Sequence, residues 1–289
     1  MKKLNFFGIF AVVALLFTGM VFTSCEEKEP DPYEGKTNPS TIAAANLVAY
    51  FPFESETASI EKGTGITYNK KGGAASFALG RRGNAYKGST SQAYLEYNVD
   101  SLNNVFKSMT EFTMGAWIKT PPAGGAADIF RLNSGDPFMG NLVLMLEGGS
   151  NNDSLDIKGY LFNSTTEWKG QDIRKAHRSF LSDRWVHVAY SYNKTTSTET
   201  LYANGLPVAT SVRYAGPKVG EVQPPLGPLT FKSGMTKILI GAWPQQLDGT
   251  GQDWMKFYPG LLDELRIYNK ALTDTEMKAL YDAEITVIN

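Results

Sequence analysis

From Leu47 onward the chain reads as short apolar or alternating runs separated by Gly, Asn, Ser and Pro. Runs of strand length lie at Leu47–Phe53, Ala93–Tyr97, Phe112–Lys119, Ile129–Leu132, Leu142–Glu147, Leu155–Phe162, Trp185–Tyr192, Leu201–Ala203, Leu206–Thr210, Lys237–Ala242 and Leu261–Tyr268. In the seventh, Val186, Val188, Tyr190 and Tyr192 alternate with Trp185, His187, Ala189 and Ser191. The first set is the more apolar face of a strand with period two. Asn204-Gly205 between two such runs predicts a two-residue hairpin turn, because both residue types tolerate positive φ. Pro207 cannot donate to a ladder, so the run that carries it is expected at a sheet edge. One helix is signalled. Thr273-Asp274-Thr275-Glu276 fits a capping box, Leu272 and Met277 fit a hydrophobic staple, and the helix should end near Ala283. Residues 215–234 are rich in Pro and Gly and predict a long loop. The pattern predicts an all-β sandwich or jelly roll with one short C-terminal helix.

The N-terminus differs in kind. Lys2 and Lys3 precede a nearly uninterrupted apolar stretch from Phe6 to Phe22, and Thr23-Ser24-Cys25 follows. Basic start, apolar middle and small residues predict an export signal over residues 1–24. Cys25 after that pair resembles the lipobox of bacterial lipoproteins, in which the cysteine becomes the lipid-bearing N-terminus. The acidic run Glu26-Glu27-Lys28-Glu29 resembles the signal that sends some lipoproteins to the outer face of the cell. Residues 25–45 are therefore expected to be a flexible acidic and Pro-containing tether, and residues 46–289 one folded domain. The expected address is the outer membrane, exposed at the cell surface and held there by lipid on Cys25.

Composition narrows the partners. Lys and Arg number 28 against 29 Asp and Glu, so there is no basic excess to neutralise phosphates, and nucleic acid is not expected as a partner. A single Cys excludes an internal disulfide, and two His with one Cys exclude a Cys/His zinc cluster.

A series of blocks then carries a family resemblance. They are Leu47–Glu54, Gly80-Arg81-Arg82-Gly83-Asn84-Ala85, Phe112–Ile118, Arg184–Tyr190, Leu201–Gly205 and, most specific, Phe257–Leu272 with Gly260-Leu261-Leu262-Asp263-Glu264-Leu265-Arg266-Ile267-Tyr268. In this order they resemble the laminin-G-like, concanavalin A-like lectin/glucanase family. The resemblance implies a jelly roll of two antiparallel sheets and a non-catalytic carbohydrate-binding role. It also implies a structural calcium ion held by Asp263, with backbone oxygens near Glu54 and Gly83. The chain has extra length over 120–182 and 215–237, where loops carry function on such scaffolds.

Glycosidases of the same family need two carboxylates across the sugar bond. No strand-like run carries the Glu-x-Asp-x-x-Glu pattern of that branch. Asp263 and Glu264 are adjacent, so on a regular strand they face opposite ways. Loop carboxylates converging from separate places would still make a glycoside hydrolase, and a structural or adhesion protein binding another protein is a further alternative. No Gly-x-Ser-x-Gly elbow is present, and His187 inside an apolar strand reads as a structural histidine. His177 lies in the basic stretch Arg174–Arg178, either a solvated loop or a contact for an acidic glycan. For sugar stacking, exposed aromatic rings are the residues to find. Trp243 and Trp254 bracket the polar loop 244–253, and Trp168 lies in another loop-like stretch. These three, with Asp248, Gln252 and Asp253 as hydroxyl partners, are the expected carbohydrate site. Trp117 and Trp185, inside strand-like runs, are expected to be core.

Overall fold

The computed structural model describes residues 36–55, 60–136, 138, 140–232 and 234–285. The chain divides into two units, Met1–Glu34 and Gly35–Asn289, and the second holds everything below. The expected signal segment, Cys25 and the acidic run after it lie outside the described residues.

Two eight-stranded sheets form among the described residues. The strands are β1 Leu47–Phe51, β2 Ile66–Lys71, β3 Ser76–Leu79, β4 Asn84–Lys87, β5 Leu95–Val99, β6 Phe112–Lys119, β7 Ala126–Leu132 and β8 Leu142–Leu146. Then follow β9 Asp156–Phe162, β10 Gly170–Ala176, β11 Val186–Asn193, β12 Thr198–Ala203, β13 Leu206–Val212, β14 Lys237–Ile240, β15 Met255–Lys256 and β16 Leu261–Tyr268. The first sheet runs β13-β12-β11-β6-β16-β4-β3, with β1 also on β16; the second runs β10-β9-β8-β7-β14-β5-β2, with β15 on β7. Pairing is antiparallel except for the two-residue β15, which lies parallel to β7. Helix α1, Pro244–Asp248, and helix α2, Asp274–Ile285, complete the domain.

The apolar faces predicted by alternation meet between the sheets. Val186, Val188, Tyr190 and Tyr192 of β11 are buried against Leu142, Leu144 and Leu146 of β8 and their neighbours in one core cluster. Asn204 and Gly205 both have positive φ, 51° and 78°, as the hairpin turn requires. Pro207 lies on β13, the edge of its sheet. Helix α2 starts as its capping box predicts: the Thr273 amide donates to Glu276 at 2.9 Å and the Glu276 amide to Thr273 Oγ1 at 3.2 Å. It runs two residues past Ala283. The Pro-rich stretch after Tyr214 is ordered, and Leu226, Leu229 and Phe231 drop from it into the core.

Three expectations change. Trp185 is half-buried and precedes β11 rather than lying within it. Trp117 is buried, but on the outer face of its sheet, where its ring stacks on Tyr281 of α2 at 5.6 Å. The segment read as a polar loop after Trp243 contains helix α1.

Helix α2 closes that outer face through a charged network as well as through Leu272, Met277 and Leu280. Arg266 of β16 is fully buried; its guanidinium pairs with Glu284 of α2 and, at 2.7 Å, with Glu264. Glu284 also accepts from Trp117 Nε1 at 2.7 Å. His187 Nε2 lies 3.5 Å from the same carboxylate, and burial pushes this histidine down to about 3, so it is neutral. Removing one partner of a buried pair leaves an uncompensated charge, at a typical cost of about 3–5 kcal/mol. Glu284→Ala should lower unfolding stability by about 3 kcal/mol, the low end because Glu264 remains. Urea denaturation checks this, and a loss under about 1 kcal/mol, the range of surface pairs, would show that α2 is not held by Arg266.

Candidate functional site

Side chains of the second sheet alternate between the core and an outer face that, among the described residues, no long helix covers. Leu142, Leu144 and Leu146 of β8 point inward, while Val143 and Met145 join Ala126, Trp243 and Met255 in a separate outer cluster flanked by Tyr160. A groove of about 210 Å³ opens on this outer face. Val143, Met145 and Tyr160 form its floor, Arg131 and Lys158 flank it, and Trp243, Trp254 and Phe138 wall it.

Local sequence explains why these rings stand there. The Trp243 amide donates to Gln246 Oε1 at 3.1 Å, and Gln246 in turn donates its amide to the Trp243 carbonyl at 3.2 Å. This reciprocal cap, with Pro244 in the first turn, starts α1 and fixes the angle of Trp243. The Trp243 indole N–H donates to the Ala126 carbonyl at 3.0 Å. Trp254 meets Trp243 edge to face, with centroids 5.3 Å apart and an interplanar angle of 88°. Trp243 is only 5% exposed and Trp254 is 47% exposed, so the pair is a buried wall carrying one free ring. The expectation of two exposed rings is corrected for Trp243, which is buried among Ala126, Val143, Met145 and Met255. A Cβ at Gly170 of β10 would fall 2.4 Å from Tyr160 Oη, so glycine there makes room for the tyrosine hydroxyl.

The charges around the groove are all engaged. Arg131 pairs with Asp128 beneath it and lies over the Trp243 ring at 4.6 Å. Burial pushes the Asp128 carboxyl up to about 6, against the pull of Arg131, and its Oδ1 has no hydrogen-bond partner among the described residues. Lys158 lies 3.3 Å from Glu147 and 3.7 Å from Asp172. On the same face Arg174 grips Asp156, Nε at 2.8 Å and Nη2 at 2.5 Å. Tyr160 is pushed up to about 12, mostly by burial, and stays protonated as a hydroxyl donor.

Of the expected carbohydrate residues, the structure brings Trp243 and Trp254 together at the groove. Trp168 is 40% exposed in the loop before β10 and lines no part of it. Asp248 accepts from the Thr250 amide and hydroxyl at 2.9 and 2.6 Å, which shapes the turn after α1. Gln252 reaches the Thr250 carbonyl at 3.4 Å, and Asp253 is exposed. None of these three lines the groove. Tyr160, Arg131 and Lys158 were missed by sequence reasoning; the signal present was the alternation in β7 and β9, which puts polar and aromatic residues on the face opposite the core. His177 faces Phe180 edge to face at 6.4 Å, away from the groove lining.

The three residues expected to hold calcium assemble around the turn between β3 and β4. Asp263 Oδ2 accepts the amides of Arg81 and Arg82 at 2.7 and 2.9 Å, and Oδ1 accepts that of Glu264 at 2.8 Å. Glu54 Oε2 accepts the Asn84 amide at 2.8 Å, and a Cβ on Gly83 would fall 2.0 Å from it. Among the described residues no three His, Cys, Asp or Glu side chains make a metal-holding group. A hard cation here would share the Asp263 oxygens with these three amide donors, and would need further backbone and water oxygens to complete its shell.

Asp263 and Glu264 do not face opposite ways. A bulge in β16 between Asp263 and Arg266, with Glu264 at φ 53°, breaks the alternation. Both carboxylates therefore reach Arg82, Asp263 through its amide and Glu264 through its guanidinium at 3.7 Å. Burial, then Glu264 and Glu54, push Asp263 up to about 8 despite its amide donors.

The comparisons with known proteins concern this same scaffold. A family model described as the concanavalin A-like lectin/glucanases superfamily matches residues 88–278, more than half of the chain. No curated protein matches it. Among solved structures, the binding domain of botulinum neurotoxin serotype D aligns with TM-score 0.54 at 14% identity, covering 82% of this chain and 51% of that one. The serotype G binding domain gives 0.55 at 15% identity, with 82% and 50% covered. The binding domain of Paraclostridial Mosquitocidal Protein 1 gives 0.54 at 16%, with 82% and 52% covered. The chain thus spans about half the length of these neighbours, and at such identities the likeness is one of fold.

A carboxyl held protonated in the fold but ionised when unfolded costs stability as pH rises between its two pKa values. For Asp263 that window runs from its ordinary 3.8 to about 8. Stability in chelator should fall from about pH 5 to about pH 8, and Asp263→Asn should flatten that slope. Urea midpoints across the range check it; an unchanged slope in the variant would mean Asp263 is ionised throughout.

Proposed function

Because the chain belongs to the concanavalin A-like lectin/glucanase superfamily, we propose that it is a non-catalytic carbohydrate-binding protein and that the groove over β7, β8 and β9 is its sugar site. The observation that carries this is the half-exposed Trp254 held upright by buried Trp243 beside the Tyr160 floor. A flat ring stacks on the apolar face of a pyranose, and fixed polar groups at its rim orient the hydroxyls. Tyr160 Oη and the Lys158 ammonium are donors at that rim. The toxin domains of the same fold are binding domains, a role of the same kind. Trp254→Ala should abolish detectable glycan binding, because losing about 1 kcal/mol of stacking from a millimolar ligand is enough. Its melting curve should stay close to that of the parent. Trp243→Ala should lose stability as well, since it is core to this face. Glycan-array binding with parallel melting curves checks both, and intact binding by Trp254→Ala moves the site elsewhere.

Calcium at the β3–β4 turn belongs to the same reading as a structural ion, with Asp263 as the carboxylate and oxygens of Glu54 and the Gly83 region beside it. Such an ion competes with the proton that Asp263 holds, so its stabilising effect should grow as pH rises towards about 8. Calcium should raise Tm, chelator should lower it, and Asp263→Asn should abolish the response. An indifferent Tm removes the ion from the account.

The lipid anchor at the outer membrane rests on Thr23-Ser24-Cys25 and the acidic residues after it. Radiolabelled lipid should enter the parent protein and not Cys25→Ala; equal labelling of the two refutes it.

A further inference from the structure

The groove's charges carry the reading one step further, to the class of sugar. Its lining contains two charged side chains, Arg131 and Lys158, and each already faces carboxylates, so neither offers an uncompensated positive charge to a ligand. Arg131 is consumed by Asp128, by the Phe138 carbonyl at 3.3 Å and by the face of Trp243. Lys158 is shared between Glu147 and Asp172. Arg174, opposite Lys158 on the neighbouring strand, is bound to Asp156. These three cations meet four carboxylates, Asp128, Glu147, Asp172 and Asp156, an excess of one negative charge around the groove. Asp136 also acts on Tyr160 as a negative charge.

We infer that the groove selects uncharged oligosaccharides, and that Asp172 and Glu147 enforce this by neutralising Lys158. The inference rests on the glycan reading above. A uronate, sialate or sulfate entering the groove would leave water without gaining a free cation, and would face the surplus carboxylate as well. Burying a charge without a partner is costly, and juxtaposed like charges suppress wrong ligands. A neutral pyranose meets no such penalty. It stacks on Trp254 and offers hydroxyls that both accept and donate, which suits a rim of paired charges with lone pairs and protons to spare. The strand pattern makes this exclusion local. Asp172 lies on edge strand β10, with its side chain 51% exposed, where nothing in the core requires a carboxylate.

The test is a titration of the full-length chain with two sets of probes at low salt. The neutral set is cellohexaose, mannohexaose and maltohexaose. The anionic set is hexagalacturonate, sialyllactose and a heparin hexasaccharide. At least one neutral probe should bind, and every anionic probe should bind at least tenfold more weakly. Asp172→Asn should then raise affinity for hexagalacturonate several-fold by freeing Lys158, and Glu147→Gln should act in the same direction. Preference of the parent chain for an anionic probe would overturn the inference and leave the glycan reading standing. Unchanged discrimination in both variants would overturn the role of Asp172 and Glu147. Binding of no sugar from either set would overturn the glycan reading itself, and the inference with it.

Discussion

A full positive charge buried in the middle of a β-sheet must be matched, and Arg266 is matched from two directions. Glu264 supplies one carboxylate from the same strand, and Glu284 supplies another from the C-terminal helix. The Tyr50 ring of β1 covers the guanidinium at 4.1 Å, and its hydroxyl donates to Glu264 at 2.8 Å. Desolvating each of these ions costs several kcal/mol, so the set holds only when all members are in place. One side chain thereby ties the first strand, the last strand and the last helix together. The bulge at Glu264 lies within this setting: on a regular strand Asp263 and Glu264 would face opposite ways.

The consequence for function is an asymmetry between the two outer faces. On the first sheet, α2 with Leu272, Met277 and Leu280 covers the surface, and Trp117 is sealed beneath it. On the second sheet, cover is limited to α1 and the Trp243–Trp254 pair at one side. Lys158 and Tyr160 of β9 therefore meet solvent in the groove, beside the buried Arg131, Val143 and Met145. Burial of one face and partial exposure of the other leave, among the described residues, a groove at which the proposed sugar would stack on a ring and meet paired charges.

Much of this architecture was legible in the chain, and the parts that were not share a physical reason. Central strands such as β6, β8, β11 and β16 are apolar on one face or both, and alternation revealed them. Strands β2, β3 and β10 are polar, short and at or near sheet edges, so Ile66–Lys71, Ser76–Leu79 and Gly170–Ala176 carry too few apolar residues to stand out. The capping box of α2 was readable because Thr273 and Glu276 are its usual residues; the cap at Trp243 was not, because a tryptophan at the N-cap offers no accepting side chain and only Gln246 folds back. The site was half legible. Trp243 and Trp254 drew attention as loop tryptophans, yet burial of one and exposure of the other follow from packing on Ala126 and Arg131, far away in sequence. Asp248, Gln252 and Asp253 were near in sequence and serve their own turns. Alternation predicted opposite faces for Asp263 and Glu264, and a bulge that no local pattern announces put them on one.

The central claim is that ligand enters the groove of the second sheet at Trp254. The chain has five tryptophans, so its indole N–H signals form a small set that reports on separate places in the fold. Titrating the isotope-labelled protein with a neutral hexasaccharide should shift the Trp254 signal most and Trp243 next. Trp117, sealed beneath α2, should stay still, and so should Trp168, which does not line the groove. Saturable shifts confined to Trp168, with Trp254 unmoved, would contradict the account.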